Sequence, residues 1–264
     1  EYPDHNIEVL RTRARGELAQ EAINNLPATL SLRSDGVLQV TAGDLVTVTY
    51  DDVLNDYGNT ETLVTTVVYG GWNGSVSGTW TAAGSPYVVT GDLYVDNGQS
   101  LTVEAGVEVR FYGEYTFYVF GSLSAEGTEN DSIYFRNHVD EDDVVDWKGM
   151  YINLNYDQEH ITMSHVSLNG SMNAGLTLAD YKSTEILISH STIQNNGWAG
   201  CNIYNFHPGY ETPMSITDCR FINNSGAGMY ISSTNTSAGD NRLFVERSLM
   251  SNNSGRGLHI NDNS

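Results

Sequence analysis

Positive charge is scarce in this chain: 12 Lys+Arg stand against 33 Asp+Glu across 264 residues, a net charge of −21. Such a surface repels a phosphate backbone, which argues against nucleic acid as a partner. The one basic cluster, Arg11, Arg13 and Arg15, is too small to reverse that balance. Long apolar runs are missing as well. No stretch reaches the roughly 18 apolar residues of a spanning helix, so no membrane span is expected. Cysteine is nearly absent. Cys201 and Cys219 are too few for a disulfide framework, and without a CxxC or a nearby histidine they do not read as a metal pair. They read as packed free thiols. No secretory leader opens the chain and residue 1 is Glu, as in a processed or excised mature segment.

What the chain has is repetition. Ile161-Thr-Met-Ser-His-Val166, Ile188-Ser-His-Ser-Thr-Ile193, Ile216-Thr-Asp-Cys-Arg-Phe221 and Val245-Glu-Arg-Ser-Leu-Met250 overlay with starts 27, 28 and 29 residues apart. Each is followed three residues on by an asparagine: Asn169, Asn196, Asn224 and Asn253. Each then reaches a glycine (Gly175, Gly200, Gly228, Gly257) that opens an apolar–polar–apolar triplet. A period in this range signals a solenoid, and triplets this short alternate like strands rather than helices. Each repeat is therefore expected to be one coil of a parallel β-helix. In this overlay Val166/Ile193/Phe221/Met250 and Leu178/Ile203/Ile231/Ile260 form the dry core. Cys219 shares a column with Ser164, Ser191 and Ser248, whereas His165 and His190 fall in different columns. The asparagines read as a structural ladder that tolerates a left-handed turn and stacks its amides, and the glycines as residues free to take positive φ.

Upstream, Gly91, Gly121, Gly149 and Gly175 are 30, 28 and 26 apart, so the rhythm is expected to begin near residue 85 and to give six or seven coils. Residues 1–70 differ. Leu30–Arg33, Val37–Val40, Leu45–Tyr50 and Thr62–Tyr69 are rich in β-branched residues, and Asp35-Gly36 is a hairpin signal. They predict a small antiparallel, sandwich-like module. Residues 71–84, opening on Gly70-Gly71-Trp72-Asn73-Gly74-Ser75, read as a linker leading into a solenoid over 85–264. After Ile260 only Asn-Asp-Asn-Ser264 follows, which reads as an uncapped end: either the ordered part of a longer protein or a coil that stacks on another molecule.

The run Thr79-Trp80, Ser85-Pro86-Tyr87, Leu101-Thr-Val-Glu-Ala-Gly-Val-Glu-Val-Arg-Phe111 and Gly121-Ser-Leu-Ser-Ala-Glu-Gly-Thr128 resembles the opening coils of secreted right-handed parallel β-helix proteins of the pectin-lyase-like superfamily. The Asn-Asn-x-Gly-x-Gly repeats beyond residue 160 resemble the same family. The resemblance covers about residues 78–264 and is specific for fold alone. Ser34 to Asp52 resembles immunoglobulin-like modules of large bacterial surface proteins. Together these imply an all-β chain, a right-handed β-helix after a small module, working outside the cell or on its surface.

Two acidic clusters are candidates for calcium, which takes six to eight oxygen ligands. Asp140, Glu141, Asp142 and Asp143 with Asp146 form one; Asp51, Asp52, Asn55 and Asp56 form a weaker one. Neither has an EF-hand-like spacing, and a solvated acidic loop remains the alternative. The outward column after each glycine reads Tyr151, Thr177, Asn202, Tyr230, His259, with Asn153, Ala179, Tyr204, Ser232 and Asn261 beside it. Calcium-dependent lyases of the resembling family need several carboxylates and an Arg or Lys base there; its hydrolases need adjacent aspartates. Neither set appears, and His160, His165, His190 and His259 form no nucleophile–base set. Tyr151, Asn202, Tyr204, Tyr230 and His259 instead suit sugar binding, rings stacking on pyranose faces and amides on hydroxyls, with ordinary surface tyrosines of a Tyr-rich chain as the alternative. A non-catalytic rod, adhesin or filament that associates with itself or with polysaccharide is expected, with a polysaccharide lyase or glycoside hydrolase as the alternative.

Overall fold

The computed structural model describes residues 45–54, 60–68, 71–139, 144–154, 160–180, 185–204, 214–233 and 243–262. The chain divides into two compact units, Glu1–Gly71 and Trp72–Ser264. In the first unit, β1 (Leu45–Leu54) and β2 (Thr60–Val68) pair antiparallel from Leu45↔Val68 to Leu54↔Thr60, with an irregularity between Tyr50 and Val53. The other strands expected over 1–70, including Leu30–Arg33 and Val37–Val40, lie outside the described residues.

The second unit is a parallel solenoid. After β3 (Trp72–Ser75), the first full coil holds β4 (Gly78–Trp80) and β5 (Tyr87–Val95), and β3 forms a partial rung against β5. The second holds β6 (Ser100–Val103), β7 (Glu108–Phe111) and β8 (Thr116–Val119). In the third, β9 (Ser122–Glu126) and β10 (Ile133–Val139) are followed by β11 (Val144–Val145), which folds back on β10, and β12 (Gly149–Leu154). The fourth coil is β13 (His160–Ser164), β14 (Val166–Asn169) and β15 (Leu176–Asp180). The fifth is β16 (Glu185–Ser189), β17 (Thr192–Gln194) and β18 (Cys201–Tyr204). The sixth is β19 (Met214–Thr217), β20 (Arg220–Ile222) and β21 (Met229–Ser233). The seventh is β22 (Leu243–Glu246), β23 (Leu249–Ser251) and β24 (Leu258–Asp262).

Strands at equivalent positions pair in parallel and build three faces. The first face runs β4-β6-β9-β13-β16-β19-β22. β5 bends across the other two: Tyr87–Val89 pairs with β7 on the second face and Leu93–Val95 with β8 on the third. The second face continues through β10, β14, β17 and β20 to β23, the third through β12, β15, β18 and β21 to β24. At about 4.8 Å per rung, the stack rises roughly 29 Å from first coil to seventh. Alternation along each short strand sends one residue in and the next out, so the core is a set of stacked columns. Leu93, Phe117, Met150, Leu176, Cys201 and Met229 form one, Val109, Phe135, Leu168, Ile193 and Phe221 another, all fully buried. Each such side chain contributes about 1.5–3 kcal/mol through burial, but only when the rungs above and below are in place.

The register corrects several expectations. Ile161 pairs with Ile186 and Met163 with Ile188, an offset of 25 residues and not 27. Leu168, not Val166, therefore stands over Ile193, Phe221 and Met250. Val166 instead precedes Ser191 and Cys219 in their column, where its N–H donates to Ser191 Oγ at 3.1 Å, and Ser164 pairs with Ser189. A slip of two residues preserves which side chains point inward, so apolar patterning alone does not reveal it.

The ladder also loses Asn169, which pairs with Gln194. Its rung is taken by Ser171, whose N–H donates to Asn196 Oδ1 at 3.1 Å. Asn196 then donates its N–H and Nδ2 to Asn224 Oδ1, and Asn224 donates its own pair to Asn253 Oδ1, all within 2.9–3.2 Å. The left-handed turn lies one residue earlier, at Asn195, Asn223 and Asn252 (φ 55, 57 and 55). Each Asn-Asn pair thus divides its work: the first residue turns the chain and the second bonds across rungs.

Glycine follows for a different reason than positive φ. A Cβ on Gly200 would meet the Gly228 carbonyl oxygen at 2.6 Å and Asn224 Nδ2 at 2.9 Å. The column admits glycine because two rungs approach closely there. Upstream, Thr116 and not Gly121 pairs with Gly149. Before residue 85, β3 pairs in parallel with β5, with a register shift between Trp72 and Gly74, and β4 pairs in parallel with β6.

Candidate functional site

The outward side of the third face carries a run of partly exposed aromatic side chains. Because core residues alternate with outward ones, the columns Leu93/Phe117/Met150/Leu176/Cys201/Met229 and Val95/Val119/Ile152/Leu178/Ile203/Ile231 force an outward column between them. It runs Tyr94, Tyr118, Tyr151, Thr177, Asn202, Tyr230, His259. Beside it, Asn153, Ala179, Tyr204, Ser232 and Asn261 share a second column. The five residues expected to bind sugar, Tyr151, Asn202, Tyr204, Tyr230 and His259, therefore occupy one surface.

Two ring clusters lie on it. In the first, Tyr94 and Tyr118 stack at 5.1 Å with planes 6° apart, Phe120 lies 5.8 Å from Tyr118, and Tyr151 meets Tyr118 edge-on at 5.8 Å. The Tyr151 and Tyr204 hydroxyls are 2.7 Å apart, and Asn153 Nδ2 donates to Tyr151 Oη at 3.3 Å. Desolvation, reinforced by Asp92, raises the Tyr94 phenol above its ordinary pKa and keeps it a donor. In the second cluster, Trp198 tilts against Tyr230 at 5.4 Å and Tyr230 meets His259 edge-on at 4.8 Å. Asn261 Nδ2 donates to Tyr230 Oη at 3.1 Å.

Trp198 is 44% exposed and was not among the expected residues. It sits at the corner before β18, and Gly226 on the next coil makes room for it. A Cβ there would lie 3.0 Å from the indole Cδ1. Tyr94, Tyr118 and Phe120 were also missed, although Tyr94 and Tyr118 continue the same column two coils upstream.

Two amide oxygens on this face, Asn153 Oδ1 and Asn202 Oδ1, are buried and accept no hydrogen bond. Asn202 is only 9% exposed although it points away from the core between Cys201 and Ile203. Buried acceptors normally find a donor, so these two mark unused binding capacity.

Elsewhere the register corrects the histidine reading. His165 and His190 share a column and stack at 4.9 Å with planes 9° apart. The column continues to Asp218 and Arg247, all four in left-handed backbone with φ between 48° and 54°. Arg247 grips Asp218 with two hydrogen bonds at 2.7 and 2.8 Å, which hold its carboxyl below the ordinary range, and His190 lies 3.9 Å from it. Asp140, Glu141, Asp142 and Asp143 lie outside the described residues. Asp146 is exposed and accepts from Asn137 Nδ2 at 3.2 Å. Asn55 and Asp56 of the weaker cluster are likewise outside. Among the described residues, no three His, Cys, Asp or Glu side chains converge to hold a metal ion. No helix among them is long and apolar enough to cross a membrane.

The family model described as "right handed beta helix region" matches residues 87–243. The chain belongs to this right-handed β-helix family. No curated protein and no solved structure matches the chain. The matched β-helix region contains both ring clusters apart from His259, so the candidate face is built on the family's own coils and not on an appended element.

Proposed function

We propose that this β-helix is a non-catalytic carbohydrate-binding rod acting outside the cell, with the third face as its contact surface. The observation that carries the reading is the outward column from Tyr94 to His259, in which rings and amides succeed one another along the axis. Aromatic faces stack on the apolar faces of sugars, and amides and phenols hydrogen-bond their hydroxyls. Rigid strands hold these groups at fixed spacing, which lowers the ordering cost of binding an extended chain. The net charge of −21 suits a soluble, exposed protein.

The seventh coil supports a second part of the reading, association end to end. Leu258 and Ile260 continue the inward columns of the third face but are 43% and 64% exposed. A further parallel coil, from a second copy or from more of the same protein, would bury them. Retention on insoluble polysaccharides tests the first part. Wild type should be retained and released in soluble form without new reducing ends, and Tyr204→Ala/Tyr230→Ala should be retained poorly. Cleavage of the polysaccharide, or retention unchanged by the double substitution, would overturn it. Light scattering across dilution tests the second part: a strictly monomeric protein would overturn association between copies and leave a further coil of the same protein to cover these residues.

A further inference from the structure

Resting on the carbohydrate reading of the third face, we infer that its ligand is a neutral, hydroxyl-rich glycan lying along the solenoid axis, and that Trp198 and Asn202 read it. Charge is the first reason. The third-face strands β8, β12, β15, β18, β21 and β24 contain no lysine or arginine. On the second face Arg110 and Arg136 are both engaged by Glu108. Near the third face, Lys148 lies 3.9 Å from Glu114, and Asp92 accepts the Thr116 N–H at 2.8 Å. A polyuronate carries a carboxylate on every sugar and would meet an acidic protein whose described third-face strands offer no lysine or arginine to pair with it.

Hydrogen-bond polarity is the second and independent reason. The unpartnered groups at this face, Asn153 Oδ1 and Asn202 Oδ1, are both acceptors. A carboxylate brings only further acceptors, whereas sugar hydroxyls bring donors, so these acceptors call for a hydroxyl-rich ligand, and charge is what separates a neutral glycan from a uronate. A ligand that satisfies Asn202 must therefore donate. Its position suits that role: Asn202 lies between Thr177 and Tyr230 on successive rungs, on the same coil as Trp198.

Ring placement gives the direction. The Tyr118 and Tyr230 rings occupy one column four rungs apart, roughly 19 Å along the axis. Thr177 and Asn202 fill the rungs between the two clusters, offering hydroxyl and amide where the rings are absent. An extended chain of sugars running parallel to the axis meets stacking platforms at both ends and polar groups in the middle.

Calorimetric titration tests this, with neutral hexasaccharides of the cello-, manno-, xylo- and laminari-series against hexagalacturonate. At least one neutral probe should bind wild type about ten-fold more tightly than the uronate does. Trp198→Ala, at an exposed position, and Asn202→Thr, which copies the side chain of the preceding rung, should each weaken that binding by about ten-fold. Melting curves confirm that both variants fold. Preference for hexagalacturonate would overturn the neutral-glycan inference while leaving the face a carbohydrate site. Neutral binding unchanged in both variants would overturn the assignment to Trp198 and Asn202. Absence of any glycan binding would overturn this inference and the carbohydrate reading together.

Discussion

Replacing Asn224 by alanine should be far more damaging than replacing Asn169, although the two look equivalent in the sequence. Asn224 is 1% exposed and is the middle of the ladder. Its Oδ1 accepts both the N–H and the Nδ2 of Asn196, at 3.2 and 2.9 Å, and its Nδ2 reaches Asn253 Oδ1 and the Ile193 carbonyl. Alanine removes all four bonds. The buried Asn196 N–H is left without an acceptor, at about 1–3 kcal/mol, and the remaining bonds add roughly 1 kcal/mol between them after solvent competition. A loss of about 2–4 kcal/mol is expected. The side chain of Asn169 meets only Asn195 Nδ2, in an exposed pair at 2.8 Å, so Asn169→Ala should change stability by no more than about 0.5 kcal/mol. Urea denaturation of both variants gives the magnitudes, and amide exchange at Asn196 shows whether the loss is local to the ladder. Equal destabilisation of the two variants, or protected exchange at Asn196 in the alanine variant, would refute the two-residue register and the division of labour within each Asn-Asn pair.

Three further outcomes follow from the same geometry. Gly200→Ala should cost about 1–3 kcal/mol in thermal or urea unfolding, because its Cβ meets the Gly228 carbonyl oxygen at 2.6 Å and one rung must shift. Partial burial by itself would raise the Glu108 carboxyl, but hydrogen bonds and charge from Arg110 and Arg136 outweigh it and hold the pKa below the ordinary value. The stability this gives is present above the unfolded carboxylate pKa and is lost as pH falls through the folded one. The gap between wild type and Glu108→Gln in urea midpoint should therefore close on acidification, and a gap that widens would contradict it. Burial pushes the Cys219 thiol up to about 11 and Cys201 further still, so at pH 8 roughly one Cys219 in a thousand is thiolate. A disulfide-exchange reagent should leave both untouched in native protein and titrate both in denaturant.

The third-face column is legible in the sequence because each glycine anchors it. Counting from Gly175, Gly200, Gly228 and Gly257 gives Thr177, Asn202, Tyr230 and His259 without reference to apolar parity. The first face has no such anchor. Ile161 overlays on Ile186 or Ile188 with its inward side intact, and the overlay on Ile188 places Asn169 in the ladder and separates His165 from His190. Trp198 was invisible for another reason. It lies in a corner outside strand alternation, and its column neighbours, Asn173 and Gly226, carry no ring that would mark the position. Only the close approach of coils reveals that an indole fits over Gly226 and reaches Tyr230. The calcium expectation at Asp140–Asp143 concerns residues outside those described, and Asp146 by itself supplies one carboxylate.

Indole NMR most directly tests whether this β-helix binds glycan on its third face. The chain has four tryptophans: Trp80 and Trp147 are buried, Trp72 lies on β3 at the start of the solenoid, and Trp198 sits exposed beside Tyr230. With the indole nitrogens labelled, titration of a neutral hexasaccharide should shift or broaden the Trp198 signal and leave the other three in place. A glycan that binds without moving Trp198, or that moves Trp72 alone, would contradict the account.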